Sequence, residues 1–195
     1  MESFPIIISS PSGGGKTTIV NALLAQDKNL SRVITATTRA PRSGEKNGKD
    51  YHFWPKAKFE TAIKNKQMAE WAKVHVDYYG VPKACVDEVL KKGKCPVLVI
   101  DVQGAKTIRK HYKDAVSIFI APPSFKTLAS RIKARNDNTK DVKIRLNNAK
   151  EEMKQAKFYD YVVVNDVLPK AITLCQAIII AEHQKTKRKD LKVIK

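Results

Sequence analysis

The stretch SPSGGGKT, Ser10 to Thr17, limits what this chain can become more than any other. It follows the apolar run FPIII and precedes an apolar run with helical spacing. Gly13, Gly14 and Gly15 allow backbone N–H groups to turn inward around phosphate oxygens. The helix that follows begins at its positive end. Lys16 then reaches β- and γ-phosphates, and the Thr17 hydroxyl suits Mg²⁺. Ser12 and Thr18 belong to the same candidate ATP-binding run. Glycine, four residues, glycine, lysine and serine or threonine is the phosphate-loop pattern, and Ser10 stands where its first glycine is usual. A serine needing positive φ there costs roughly 1 kcal/mol or more.

The rest of the chain provides a frame for such a loop. Pro5–Ser9, Val97–Ile100, Val116–Ile120 and Tyr161–Val164 read as short, nearly continuous apolar strands. Helical patterns run over Thr17–Gln26, Lys83–Lys91, Ser124–Ala134, Val142–Ala156 and Pro169–His183. Buried strands alternating with helices predict a three-layer α/β core around a parallel sheet. The segment from about Ile34 to Pro82 is dense in aromatic residues and turn formers, and reads as a small mixed α/β insertion. Arg135–Asp141 is a second, polar interruption. The expected organisation is a core of residues 1–33 and 84–195, an inserted lobe over 34–83 and a short lid near 131–145.

At 195 residues the chain fits one domain with small lobes. No apolar run approaches the roughly 20 residues of a membrane helix, and no secretory leader is visible. Cys85, Cys95 and Cys175 are odd in number and far apart, which reads as reduced thiols. His52, His75, His111 and His183 lack metal-ligand spacing. A cytoplasmic protein is expected. The net charge of +18 points to an anionic partner, either nucleotide or nucleic acid, or to a solvated lysine-rich surface. The basic run Lys185–Lys195 reads as a frayed, solvated end.

A second anion site is written into the insertion. TATTRAPRSGEKNGKDYHF places Arg39 and Arg42 three residues apart, with Tyr51 shortly after. Two guanidinium groups and a phenol can clamp a phosphate. Further on, EWAKVHVDYYG offers Glu70 and Tyr79. A carboxylate such as Glu70 can accept from guanine N1–H and N2–H₂, whereas adenine offers no donor there.

These stretches, with IDVQGAK, SIFIAPPS and VVVND, resemble the guanylate kinase family in their order and over nearly the whole chain. The resemblance implies a P-loop kinase core, a GMP-binding lobe and a mobile lid. It implies ATP-dependent phosphorylation of GMP, with dGMP as a further acceptor, by a monomer or homodimer. On this likeness Arg39, Arg42, Tyr51 and Tyr79 hold the GMP phosphate. Glu70 reads the guanine with Thr35 close by, and Asp101 lies near the base or the water shell of Mg²⁺. Lys16 and Thr17 serve ATP and its metal, Arg131, Arg135 and Arg145 lean on the transferring phosphate, and Asn165 lies near the adenine.

Four positions depart from the family pattern. Beside Ser10, Val81 replaces a serine or threonine that hydrogen-bonds guanine, and losing that bond weakens binding by ~1–2 kcal/mol. Val99 stands where an acidic residue is common, and the lid is one residue short with Asn136 at a usual glycine. These departures keep open a non-catalytic, guanylate-kinase-like binding module, although such modules typically lose the P-loop lysine that Lys16 retains. A nucleic-acid binder would instead need aromatics spread over a basic face, and here they cluster in the insertion.

Overall fold

The structure is a computed structural model and describes residues 2–134 and 139–189. Arg135 and Asn136 lie outside the described residues.

Three successive isoleucines start the chain's central strand, and alternation sends them to opposite faces. β1 (Ile6–Ser9) lies between β7 (Cys95–Val99) and β8 (Val116–Ala121) in an all-parallel sheet of order β2-β7-β1-β8-β9. The outer strands are β2 (Leu30–Arg32) and β9 (Tyr161–Val164). Ile6 and Ile8 face Val20 and Leu23 of α1 (Lys16–Gln26) and Ala171, Cys175 and Ile179 of α7 (Leu168–Gln184). Ile7 faces Val86 of α3 (Lys83–Lys91) and Ala105 and Ile108 of α4 (Val102–His111). The expected three-layer core is present. β2 and α4 went unforeseen.

The insertion builds its own sheet, of order β4-β3-β6-β5. Its strands are β3 (Ala36–Thr37), β4 (His52–Phe53), β5 (Met68–Val74) and β6 (Asp77–Pro82). α2 (Lys56–Lys64) packs on it through Phe59, which stacks on Tyr78 at 5.3 Å between ring centres. Pairing slips by one residue between Met68 and Glu70. The extra residue, Ala69, joins the cluster of Ile7 and Leu98, so the bulge sends Ala69 into the main core and re-aims Glu70. α5 (Phe125–Lys133) and α6 (Thr139–Lys154) pack together through Leu128, Ile132 and Ala149.

The basic end is not frayed where it is described. Arg188 is buried over the Phe4 ring, pairs with Glu182 at 3.4 Å and donates to Asp114 O at 2.9 Å. Lys185 and Lys187 bind Glu182 and Asp114. A buried guanidinium needs such partners, and Glu182, six residues earlier in the last turn of α7, supplies one. Cys85, Cys95 and Cys175 are free thiols, and burial raises the pKa of each.

Phe59 is fully buried between Tyr78 and Trp54. Phe59→Ala is expected to lower the unfolding free energy by about 3–5 kcal/mol, read from urea denaturation.

Candidate functional site

The carboxyl ends of β1, β7 and β9 open onto one region, where open α/β sheets bind ligands. From β1 the chain enters the glycine loop. Gly13 and Gly15 take φ of 84° and 92°, a region that disfavours side chains. A Cβ on Gly15 would lie 2.4 Å from Asn165 Nδ2. That amide, buried at the end of β9, donates to Gly14 O at 3.0 Å and pins the loop from behind. Ser10 does not take positive φ, so the feared strain at this position is absent. It is buried, with Oγ donating to Pro11 O. The loop from Ser10 to Thr18 lines a cavity of about 210 Å³, with Thr17 and Thr18 exposed at its rim.

Lys16 is partly buried at the start of α1. Burial pulls its pKa below the usual lysine range, while the charges of Glu152 and Asp101 oppose the fall. Glu152 was not foreseen. It reaches from α6 so that Ser12 N–H donates to Oε2 at 3.3 Å. Burial raises its pKa, against the Ser12 hydrogen bond and the Lys16 charge. Either glutamate of EEMK gives no signal in the sequence, since helix surfaces are full of them.

A second cavity, of about 350 Å³, adjoins the loop and is lined by Gly13, Gly15, Thr18, Arg131 and Asn165 among others. Arg131 Nη2 donates to Asn165 O at 3.2 Å, which holds this arginine beside the loop. Arg145 is exposed on α6.

From β7 the chain reaches Asp101, whose side chain caps α4 by accepting from Gln103 N at 3.0 Å and Gly104 N at 2.8 Å. Glu70, on the bulged strand β5, lies against the same turn. A Cβ on Gly104 would meet Glu70 Oε2 at 3.1 Å and Asp101 Oδ1 at 3.4 Å. Burial, with the Asp101 charge second, pushes the Glu70 carboxyl up to about 7. Val81 is fully buried among Ile7, Val33 and Ala69, and Val99 packs on the opposite cluster. Thr35 is half-buried, and its carbonyl accepts from His52 N at 2.8 Å.

The arginine pair lies on the segment between β3 and β4. Arg39 sits 5.7 Å from the Tyr51 ring centre, and Tyr51 is edge-on to Tyr79 at 6.3 Å. Arg39, Tyr51 and Tyr79 are therefore neighbours, and Arg42 is exposed beside them. Glu45, also unforeseen, is bound to Arg39. Nothing in the spacing of RAPRSGE sets it apart from the other charged residues of the turn.

Two anion-binding arrangements on one α/β frame suit a P-loop phosphotransferase whose acceptor already carries a phosphate. The guanylate kinase family model matches residues 2–182. The guanylate kinase of Rickettsia felis is 44% identical over 181 residues, covering 92% of this chain and 94% of the relative. That of Halalkalibacterium halodurans is 43% identical over 184 residues, covering 94% and 90%. The crystal structure of guanylate kinase from Anaplasma phagocytophilum superposes with a TM-score of 0.77 at 34% identity, covering 96% of this chain and 90% of that one. The chain belongs to the guanylate kinase family. It is an enzyme, and its reaction is the ATP-dependent phosphorylation of GMP. These relatives lend no support to the reading as a non-catalytic module.

Gly104→Ala is expected to push Glu70 aside and raise KM for GMP about tenfold, with KM for ATP little changed, in steady-state kinetics.

Proposed function

We propose that the γ-phosphoryl group of ATP, held on the phosphate loop, passes directly to the phosphate of GMP held against the inserted lobe. In this reading residues 1–33 and 84–195 form the core, 34–83 the acceptor lobe and about 131–145 the lid. The observation that carries it is the place of Asp101. It lies beside Glu70 at Gly104 on the acceptor side, and it lines one cavity of about 440 Å³ with Glu152, which accepts from Ser12 of the phosphate loop on the donor side.

The roles follow from charge and geometry. Backbone N–H groups of Gly13 to Thr18 and the Lys16 ammonium take the donor's phosphates. Arg131 and Asn165 border the cavity that leads away from the loop, toward the donor's nucleoside. Arg39, Arg42, Tyr51 and Tyr79 grip the acceptor's phosphate, and Glu70 accepts from the guanine edge with Thr35 beside it. dGMP, which keeps the same base and phosphate, is a further acceptor in this reading.

Among the described residues no cluster of three or more His, Cys, Asp or Glu could hold a metal alone. The donors present fit Mg²⁺ that arrives with the nucleotide and keeps most of its water. Thr17 would hold it, with Asp101 reaching its water shell, and the ion supplies charge neutralisation between the phosphates. The acceptor is already an anion, so positioning and charge neutralisation by Lys16, Arg131, Arg135 and Arg145 lower the barrier. Closure of lobe and lid keeps water from the transferring group.

No helix among the described residues is long and apolar enough to cross a membrane. Three free thiols support a reducing compartment, which we take to be the cytoplasm.

Lys16→Ala is expected to cut turnover by at least ~10²-fold in an ADP-release assay while the unfolding midpoint stays put. An active Lys16→Ala enzyme would overturn the loop's assignment. Glu70 must be ionised to accept both guanine donors, and in the free enzyme it gains its proton as pH falls through about 7. Between pH 8 and pH 6, KM for GMP should therefore rise about tenfold. Glu70→Gln should abolish that dependence and narrow the preference for GMP over AMP, and an unaltered preference would remove Glu70 from base reading.

A further inference from the structure

One carboxylate reaches both arginines of the acceptor clamp. Arg39 Nη2 donates to the two oxygens of Glu45 at 2.8 and 2.9 Å, and the Arg42 backbone N–H donates to Oε2 at 2.7 Å. The Glu45 N–H donates back to Arg42 O at 3.0 Å, which closes the turn. Arg39 Nη1 donates to Ala40 O at 2.7 Å. The side chains of Arg39 and Glu45 cover one another and are only 15% and 21% exposed. The Tyr51 and Phe53 rings, 5.7 and 5.9 Å from the guanidinium carbon, confine it further.

We propose that Glu45 is a positioning residue of the acceptor site, whose carboxylate fixes the spread of Arg39 and Arg42 so that both converge on the GMP phosphate. The inference rests on the clamp reading given above. A free arginine side chain loses rotamer freedom when it grips an anion, and a partner that orders it beforehand removes that loss from binding. Glu45 and Ala40 O occupy Nη2 and one proton of Nη1. The Nε–H and the other Nη1 proton remain for a ligand. Tyr51 lies between this guanidinium and Tyr79, so the members of the clamp stand side by side. The carboxylate also relieves repulsion between the two cations while no phosphate is bound. The contrary arrangement, in which Glu45 merely fills the phosphate's place and is expelled by GMP, predicts the opposite kinetic sign.

The test is steady-state kinetics of the full chain as Glu45→Ala, Glu45→Gln and Arg39→Ala, with a thermal midpoint for each. Glu45→Ala should raise KM for GMP about tenfold and leave KM for ATP within about twofold. Glu45→Gln keeps an oxygen for the Arg42 N–H and should recover part of the loss. If Glu45→Ala does not fold, the same readout on Glu45→Gln decides. An unchanged or lowered KM for GMP in the Glu45 variants, while Arg39→Ala raises it, overturns the positioning role and leaves the clamp intact. An equal rise in both KM values also overturns it, because that is the mark of general loosening. If Arg39→Ala itself leaves KM for GMP unchanged, the clamp reading fails first.

Discussion

Unbalanced positive charge is the constraint around which this molecule is arranged. The chain carries 37 lysines and arginines against 19 acidic residues, and several of those cations must gather where phosphates bind. Like charges brought together out of water repel strongly, and two of the partly buried cations, Lys16 and Arg39, both have acidic neighbours. Glu45 takes Arg39, while Glu152 and Asp101 flank Lys16. The same device recurs away from the site, where Glu182 serves both Lys185 and Arg188. The carboxylates keep the groups charged and in place, ready for substrates that bring far more negative charge than they do.

α4 joins the two halves of the site. Its first turn is capped by Asp101 and packs, through the bare backbone of Gly104, against Glu70 of the inserted lobe. The β5 bulge at Ala69 serves the same junction, because it buries one residue in the main core and turns the next toward α4. Burial of Glu70 there has an energetic consequence. A carboxyl raised from 4.5 to about 7 binds protons more tightly folded than unfolded, so its contribution to stability declines as pH climbs through that interval. The lobe thus gives up some stability at neutral pH to hold the Glu70 carboxyl in a dry position.

The main sheet was legible because its strands are short, apolar and spaced by amphipathic helices, and III followed by a glycine loop admits few alternatives. α4 was not, since VQGAKTIRKH has a glycine in its first turn and only a thin apolar stripe. Packing against Glu70 outweighs that local preference. β2 is three residues long and carries little pattern of its own. The fate of Arg188 was hidden because one buried cation in a basic run looks like its solvated neighbours. At the site, residue types with a fixed task, such as Lys16, Arg39 and Glu70, stood out. Glu45 and Glu152 act on those residues rather than on a ligand, and their position in space is not encoded by spacing.

The three thiols close the account. Each is a native sulfhydryl held protonated by its surroundings, and two of them are wholly interior. Such groups react sluggishly with maleimides and oxidants. A single cysteine engineered onto the lobe surface would therefore take up a fluorophore almost alone, and the lobe could be followed by spectroscopy as nucleotides are added without first stripping the background.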